Sequence, residues 1–342
     1  MTQCRLAPYH SQVGLQAKRS GIMQALQAFL AADMQRVDEV IRARLHSDVA
    51  LVGQVAEYII GSGGKRLRPA LVLLTAGAVG YRGSHQFEMA AVVEFIHTAT
   101  LLHDDVVDES GLRRGQATAN ALFGNAASVL VGDFLYSRAF QMMVSVGDMR
   151  IMQVLSDATN VIAEGEVLQL MNCNNADITE QDYLHVIRYK TAKLFEAAAR
   201  IGALLGGADE TLGAAMADYG MHLGTAFQLI DDVLDYSGDH TEIGKNIGDD
   251  LAEGKPTLPL LYLMEHGSAH EVALVRAAIE QGGLDHFDDI LAAIHSGGAL
   301  EYTRERARQE RALAQAALAG LPDSSYRQHL SELAGFAVSR TY

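Results

Sequence analysis

An all-α fold is what this sequence predicts, on three observations. Apolar residues recur at steps of three and four along most of the chain, and no stretch alternates with period two for long. Ala, Leu and Gly are abundant, Trp is absent, and only five prolines interrupt 342 residues. Such a pattern gives each helix one buried stripe and leaves no strand to pair. The breaks are short, with no repeat, low-complexity run or linker, which points to a single helical bundle.

Residues 1–22 carry Arg5, Lys18 and Arg19 without an acid and read as a dispensable extension ahead of a domain spanning 23–342. Helical periodicity opens at Met23 and continues to Ile60 through Leu26, Phe29, Leu30, Met34, Val37, Val40, Ile41 and Leu45, enough for one or two helices. Gly61, Ser62, Gly63 and Gly64 break it, and Pro69 suits the first turn of a helix ending near Val79. A loop between them presents Lys65, Arg66 and Arg68. The stretch 87–108 is apolar nearly all round, as a helix in the middle of a bundle must be. Helices are expected over 125–146, 151–171, 179–205 and 211–236, then a polar, glycine-punctuated loop over 237–257 and further helices to the C-terminus.

The end of the greasy 87–108 helix carries Asp104, Asp105 and Asp108. Asp104 and Asp108, four apart, share a face, where like charges repel and burial without partners is costly. A divalent cation removes that conflict. Asp231, Asp232 and Asp235 repeat the phrase late in a second apolar helix. Neighbouring helices bringing the two clusters face to face would leave a gap suited to Mg²⁺ and a diphosphate, since oxygen-only ligands favour magnesium over zinc. The alternative for either cluster alone is a solvated helix end. The spacing lacks the alternate ligands around a central Gly that an EF-hand Ca²⁺ loop carries.

Basic residues sit where they can complete an anion site. Lys65 and Arg68 occupy a glycine-rich loop running into a helix start, which favours anions through backbone donors and the dipole. Arg113 and Arg114 follow the first acidic cluster, and guanidinium forks suit phosphate oxygens, although simple salt bridges to the acids are the alternative. Tyr189, Lys190 and Thr191 interrupt a helix, and Lys245 and Lys255 lie in the polar loop after the second cluster.

A net charge of −15 argues against nucleic-acid binding, but not against a small phosphorylated substrate held by a few converging cations. Two cysteines, Cys4 and Cys173, make neither a disulfide framework nor a zinc site, so a cytoplasmic location is expected. No apolar run is long enough to span a bilayer, which leaves at most transient contact with a membrane surface for product release.

With both aspartate clusters, the Gly63 to Pro69 loop and the Arg113–Arg114 pair in order, the chain from about Met23 onward resembles the trans-isoprenyl (polyprenyl) diphosphate synthases. Glu94 to Thr100 and Gly165 to Leu170 are similar to the bacterial long-chain members. The resemblance implies the isoprenoid synthase fold around a central cavity, a homodimer, and two or three Mg²⁺ ions per site. It implies that isopentenyl diphosphate is condensed onto an allylic diphosphate, farnesyl diphosphate being the expected primer, to make an eight-unit chain for quinones; nine units is the alternative.

By motif, it implies Asp104, Asp108, Asp231 and Asp235 as metal ligands, with Asp105 and Asp232 in support. Asp104, Asp105, Asp108, Asp231 and Lys190 form the implied catalytic set. Arg113, Lys190, Thr191, Gln228, Lys245 and Lys255 would hold the allylic diphosphate, and Lys65, Arg68, His97 and Arg114 that of isopentenyl diphosphate. His97 as a core histidine is the alternative.

Ala99, Ile96 and Val93 put no aromatic plug beside the acids, so a long product is expected, its floor at Phe140, Met142 or Met143 unless these are ordinary core residues. A class I terpene cyclase would need one acidic cluster and no second diphosphate subsite. A noncatalytic partner subunit would be expected to lose aspartates, and both clusters are intact.

Overall fold

The computed structural model describes the backbone of residues 10–61, 63–113, 115–237 and 248–340, with side chains from residue 21 onward. It opens with α1 (His10–Arg44), α2 (Ala50–Gly61), α3 (Leu67–Ala78) and α4 (His85–Val107). The start of α1 departs from the expected Met23. After Pro8 the segment holds no proline, so a helix nucleated in the strongly periodic part propagates back to His10.

A two-stranded antiparallel hairpin follows, β1 (Leu112–Arg113) and β2 (Gln116–Ala117), paired Leu112 to Ala117 and Arg113 to Gln116. It was not expected, because four residues are too few to show a period. Then come α5 (Ala119–Phe123), α6 (Asn125–Val146), α7 (Met149–Asn172) and α8 (Glu180–Ile187). The expected helix over 179–205 is three pieces. A π turn (Arg188–Ala192) separates α8 from α9 (Lys193–Leu205), at the place where Tyr189, Lys190 and Thr191 break the pattern.

Helix α10 (Glu210–Asp235) carries the second acidic cluster, and one short helix, α11 (Asp249–Ala252), falls inside the stretch 237–257 expected as loop. The C-terminal helices are α12 (Leu258–His266), α13 (Ala269–Gln281), α14 (Phe287–Ser296), α15 (Ala299–Ala317) and α16 (Ser325–Ser339). Among the described residues no helix is long and apolar enough to cross a membrane.

Helix α4 is central, as its all-round apolarity predicts. It packs against α1, α3, α6 and α9, and Phe87, Met89, Val92, Val93, Phe95, Ile96, Ala99 and Leu102 are all buried. Each large side chain so buried contributes roughly 1.5–3 kcal/mol. Helix α10 is gripped between α9 and α15. A second core around Tyr236, Leu260, Val275, Ile279 and Ile290 takes in Leu251 of α11.

Candidate active site

The first acidic cluster sits at the C-terminal end of α4. Helical geometry turns Asp104 and Asp108 outward together and Asp105 inward, where it is fully buried. Arg113, delivered by β1, donates from Nε (2.9 Å) and Nη2 (2.7 Å) to one Asp105 oxygen. The other Asp105 oxygen is buried without a hydrogen-bond partner. Arg114 lies outside the described residues.

Lysines approach the outward pair from two sides. Lys190 Nζ is 2.5 Å from Glu166 and 3.7 Å from Asp104, while Lys255 Nζ is 3.1 Å from Asp108 and also pairs with Glu253. Burial pushes the Asp104 carboxyl above the usual carboxylate range; Lys190 opposes this and Asp108 reinforces it. Burial likewise raises Glu166 to about 7, against the pull of Lys190. Tyr136 of α6 also belongs here: burial, Glu166 and Asp104 push its hydroxyl up to about 12. For Lys255, burial lowers the pKa, but Asp108, Asp250 and Glu253 outweigh it and the net shift is upward. Lys255 therefore stays a cation.

The second cluster, on α10, is built the same way. Asp231 and Asp235 are half-buried, and Asp232 turns into the core. Asp232 accepts hydrogen bonds from the Tyr183 hydroxyl and, at 2.9 Å, from Gln228 Nε2. Burial, with Asp250 adding to it, raises its carboxyl to about 8. Thr191 Oγ1 donates to Gln228 Oε1 at 3.2 Å. Consecutive residues of the π turn thus face both clusters: Lys190 toward α4 and Thr191, through Gln228, toward α10. Arg340, after α16, pairs with Asp231, donates to the Phe227 carbonyl and stacks on the Phe227 ring at 3.6 Å.

The basic loop ahead of α3 divides by residue. Arg66, at φ 46°, turns away to Asp38 and Glu94, a structural role. Arg68 Nη1 lies 3.2 Å from His97 Nε2, and its guanidinium stacks on Phe195 at 4.4 Å. Lys65 sits over Phe336 at 5.6 Å. Phe195 and Phe227 touch, ring centroids 5.8 Å apart, so an aromatic bridge joins the Arg68–His97 pair to Arg340 and the second cluster. Lys245 lies outside the described residues.

Val93, Ile96 and Ala99 of α4 and Met142 and Met143 of α6 are all buried in one core cluster, with Phe140 partly buried against it. Helices α4 and α6 pack directly: a Cβ on Gly132 would come within 2.3 Å of His103 Nε2.

Sequence reasoning missed Glu166, Tyr136, Tyr183 and Arg340 as site residues. Only Glu166 had a usable signal. Leu155, Thr159, Ile162, Glu166 and Gln169 follow at steps of four and three, which puts an acid on the inward stripe of α7.

The donor set suits a hard divalent cation. Every acidic ligand is an oxygen, one buried Asp105 oxygen lacks a partner, and repulsion between Asp104 and Asp108 is the cost a cation would relieve. Among the described residues no three such groups stand close enough to hold an ion by themselves.

The family model for polyprenyl synthetase matches residues 49–294. Octaprenyl diphosphate synthase of Escherichia coli K12 is 55% identical over 319 residues, covering 93% of this chain and 99% of that protein. The geranyl-diphosphate-specific all-trans-nonaprenyl-diphosphate synthase of Rhodobacter capsulatus is 45% identical, covering 93% and 98%. The crystal structure of a polyprenyl synthase from Caulobacter crescentus complexed with calcium and isoprenyl diphosphate superposes with a TM-score of 0.90 at 46% identity, covering 94% and 98%. The chain belongs to the polyprenyl synthetase family.

Proposed function

We propose that this prenyltransferase condenses isopentenyl diphosphate repeatedly onto an allylic diphosphate, with farnesyl diphosphate as primer, to make octaprenyl diphosphate for quinone side chains. The observation that supports this reading is the π turn, whose Lys190 approaches Asp104 and whose Thr191 bonds the Gln228 that holds Asp232. The 55% identity to the E. coli octaprenyl enzyme favours eight units over the nine made by the 45% identical R. capsulatus relative.

Asp104, Asp108, Asp231 and Asp235 are the residues to hold Mg²⁺, which when bound stabilises charge growing on the leaving diphosphate. Lys190, Lys255, Lys245 and Arg113 hold that diphosphate, and Thr191 and Gln228 orient the α10 side. Asp105 and Asp232, buried and hydrogen-bonded, fix Arg113 and Gln228 in place. Lys65, Arg68, His97 and Arg114 bind the second diphosphate. Holding both reactants in register supplies the proximity the carbon–carbon bond needs, and the apolar walls keep water from the allylic cation. The departing diphosphate takes the proton.

The growing chain runs between α4 and α6, past Ala99 and Ile96 toward Met142 and Met143. The assembly is a homodimer: Leu130 and Val144 of α6 and Met149, Val167, Leu170 and Met171 of α7 leave an apolar face exposed for a second copy.

A cyclase has no use for the Lys65 side of the site, so steady-state kinetics separate the readings. Lys65→Ala should raise the KM for isopentenyl diphosphate about tenfold or more and leave that for the allylic substrate nearly unchanged; Lys190→Ala should do the reverse. Equal KM values in Lys65→Ala and wild type would remove the second subsite and with it the synthase reading.

A further inference from the structure

The π turn at Arg188–Ala192 is the least regular piece of the bundle, and neither motif explains how it is held. Two glycines wedge it. A Cβ on Gly165 of α7 would lie 2.7 Å from the Lys190 backbone nitrogen, and one on Gly224 of α10 would lie 2.6 Å from the Ala192 Cα. These contacts fix the turn's depth between α7 and α10. They do not fix its rotation, which decides where Lys190 points.

A charged triad on the far side does. Arg188, the first residue of the turn, donates from Nη2 to Glu310 Oε1 at 3.1 Å, and His222 Nδ1 lies 2.5 Å from Glu310 Oε2. Glu310 belongs to α15, His222 to α10, and the Glu310 side chain is only 8% exposed. Burial raises its carboxyl, but His222 and then Arg188 outweigh that and hold it below the usual glutamate range, so it stays ionised. Arg188 and His222 keep 41% and 25% of their side chains exposed, so the buried anchor is Glu310, gripped from two elements at once.

We propose that Arg188, Glu310 and His222 are positioning residues that set the rotation of the π turn, so that Lys190 and Thr191 meet the allylic diphosphate. The proposal rests on the reading of the site above. None of the three touches substrate; they act through the turn.

The test is binding of a non-reactive farnesyl diphosphate analogue with Mg²⁺ by calorimetry, beside KM values for both substrates, on folded variants of the full chain. Glu310→Gln and Arg188→Met should weaken the analogue about tenfold and raise the allylic KM to match. The KM for isopentenyl diphosphate should stay within about twofold, and Arg188→Lys should recover most of the loss. Adding Glu310→Gln to Lys190→Ala should cost clearly less than the tenfold it costs alone, because most of its effect passes through Lys190 and only the Thr191 share remains.

Variants with lower thermal stability but unchanged analogue affinity would show a merely structural triad and overturn the proposal, as would a double variant whose losses multiply. Should Lys190→Ala itself bind the analogue like wild type, the site reading fails first and takes the proposal with it.

Discussion

At the scale of single residues, the acids of each cluster divide by burial: Asp104, Asp108, Asp231 and Asp235 keep part of their surface, and Asp105 and Asp232 are buried. Asp104, Asp108, Asp231 and Asp235 were legible because charge in an apolar helix has no packing explanation. The supporting place of Asp105 and Asp232 comes from the resemblance alone, because nothing in the sequence shows which way each turns. Asp232 makes a pH prediction. In the native state it keeps its proton to about 8, whereas an unfolded aspartate loses it near 3.8. Between those values the native state binds more protons, so stability falls as pH rises. Metal-free Asp232→Asn should lose that slope: its melting temperature should change less between pH 6 and 9 than that of the wild type, as measured by calorimetry. Lys190 gives a kinetic one. Losing its charge-assisted contacts, worth roughly 1.5–3 kcal/mol, should lower kcat/KM for the allylic substrate about 10- to 100-fold.

At the scale of elements, the helices were readable and their joints were not. The span 125–146 matches α6, and 87–108 falls within two residues of α4, because strong periodicity marks both. The π turn was visible only as an interruption, since the close approaches that set its depth come from Gly165 and Gly224, residues distant in sequence. Tyr183 on Asp232 and Arg340 on Asp231 were hidden for the same reason: a partner 49 or 109 positions away leaves no local pattern. Gly224→Ala tests the wedge. A methyl 2.9 Å from the Ala192 Cβ must push the turn outward, costing about 1–3 kcal/mol by chemical denaturation. An unchanged midpoint would mean the turn is free to shift.

At the scale of the whole molecule, the proposed function asks three things of one bundle: acids of α4 and α10 on one site, a second anion site at the loop ahead of α3, and a path for the product between α4 and α6. Ala99 is fully buried on α4, where the proposed path runs. Ala99→Tyr should stop growth early, at roughly C15 to C20; full-length product from this variant would place the path elsewhere. Most directly, purified protein incubated with Mg²⁺, farnesyl diphosphate and labelled isopentenyl diphosphate should give a single C40 alcohol after dephosphorylation and chromatography. A C45 peak would contradict the eight-unit product while leaving the shared site intact. No elongation at any Mg²⁺ or primer concentration would contradict the synthase itself.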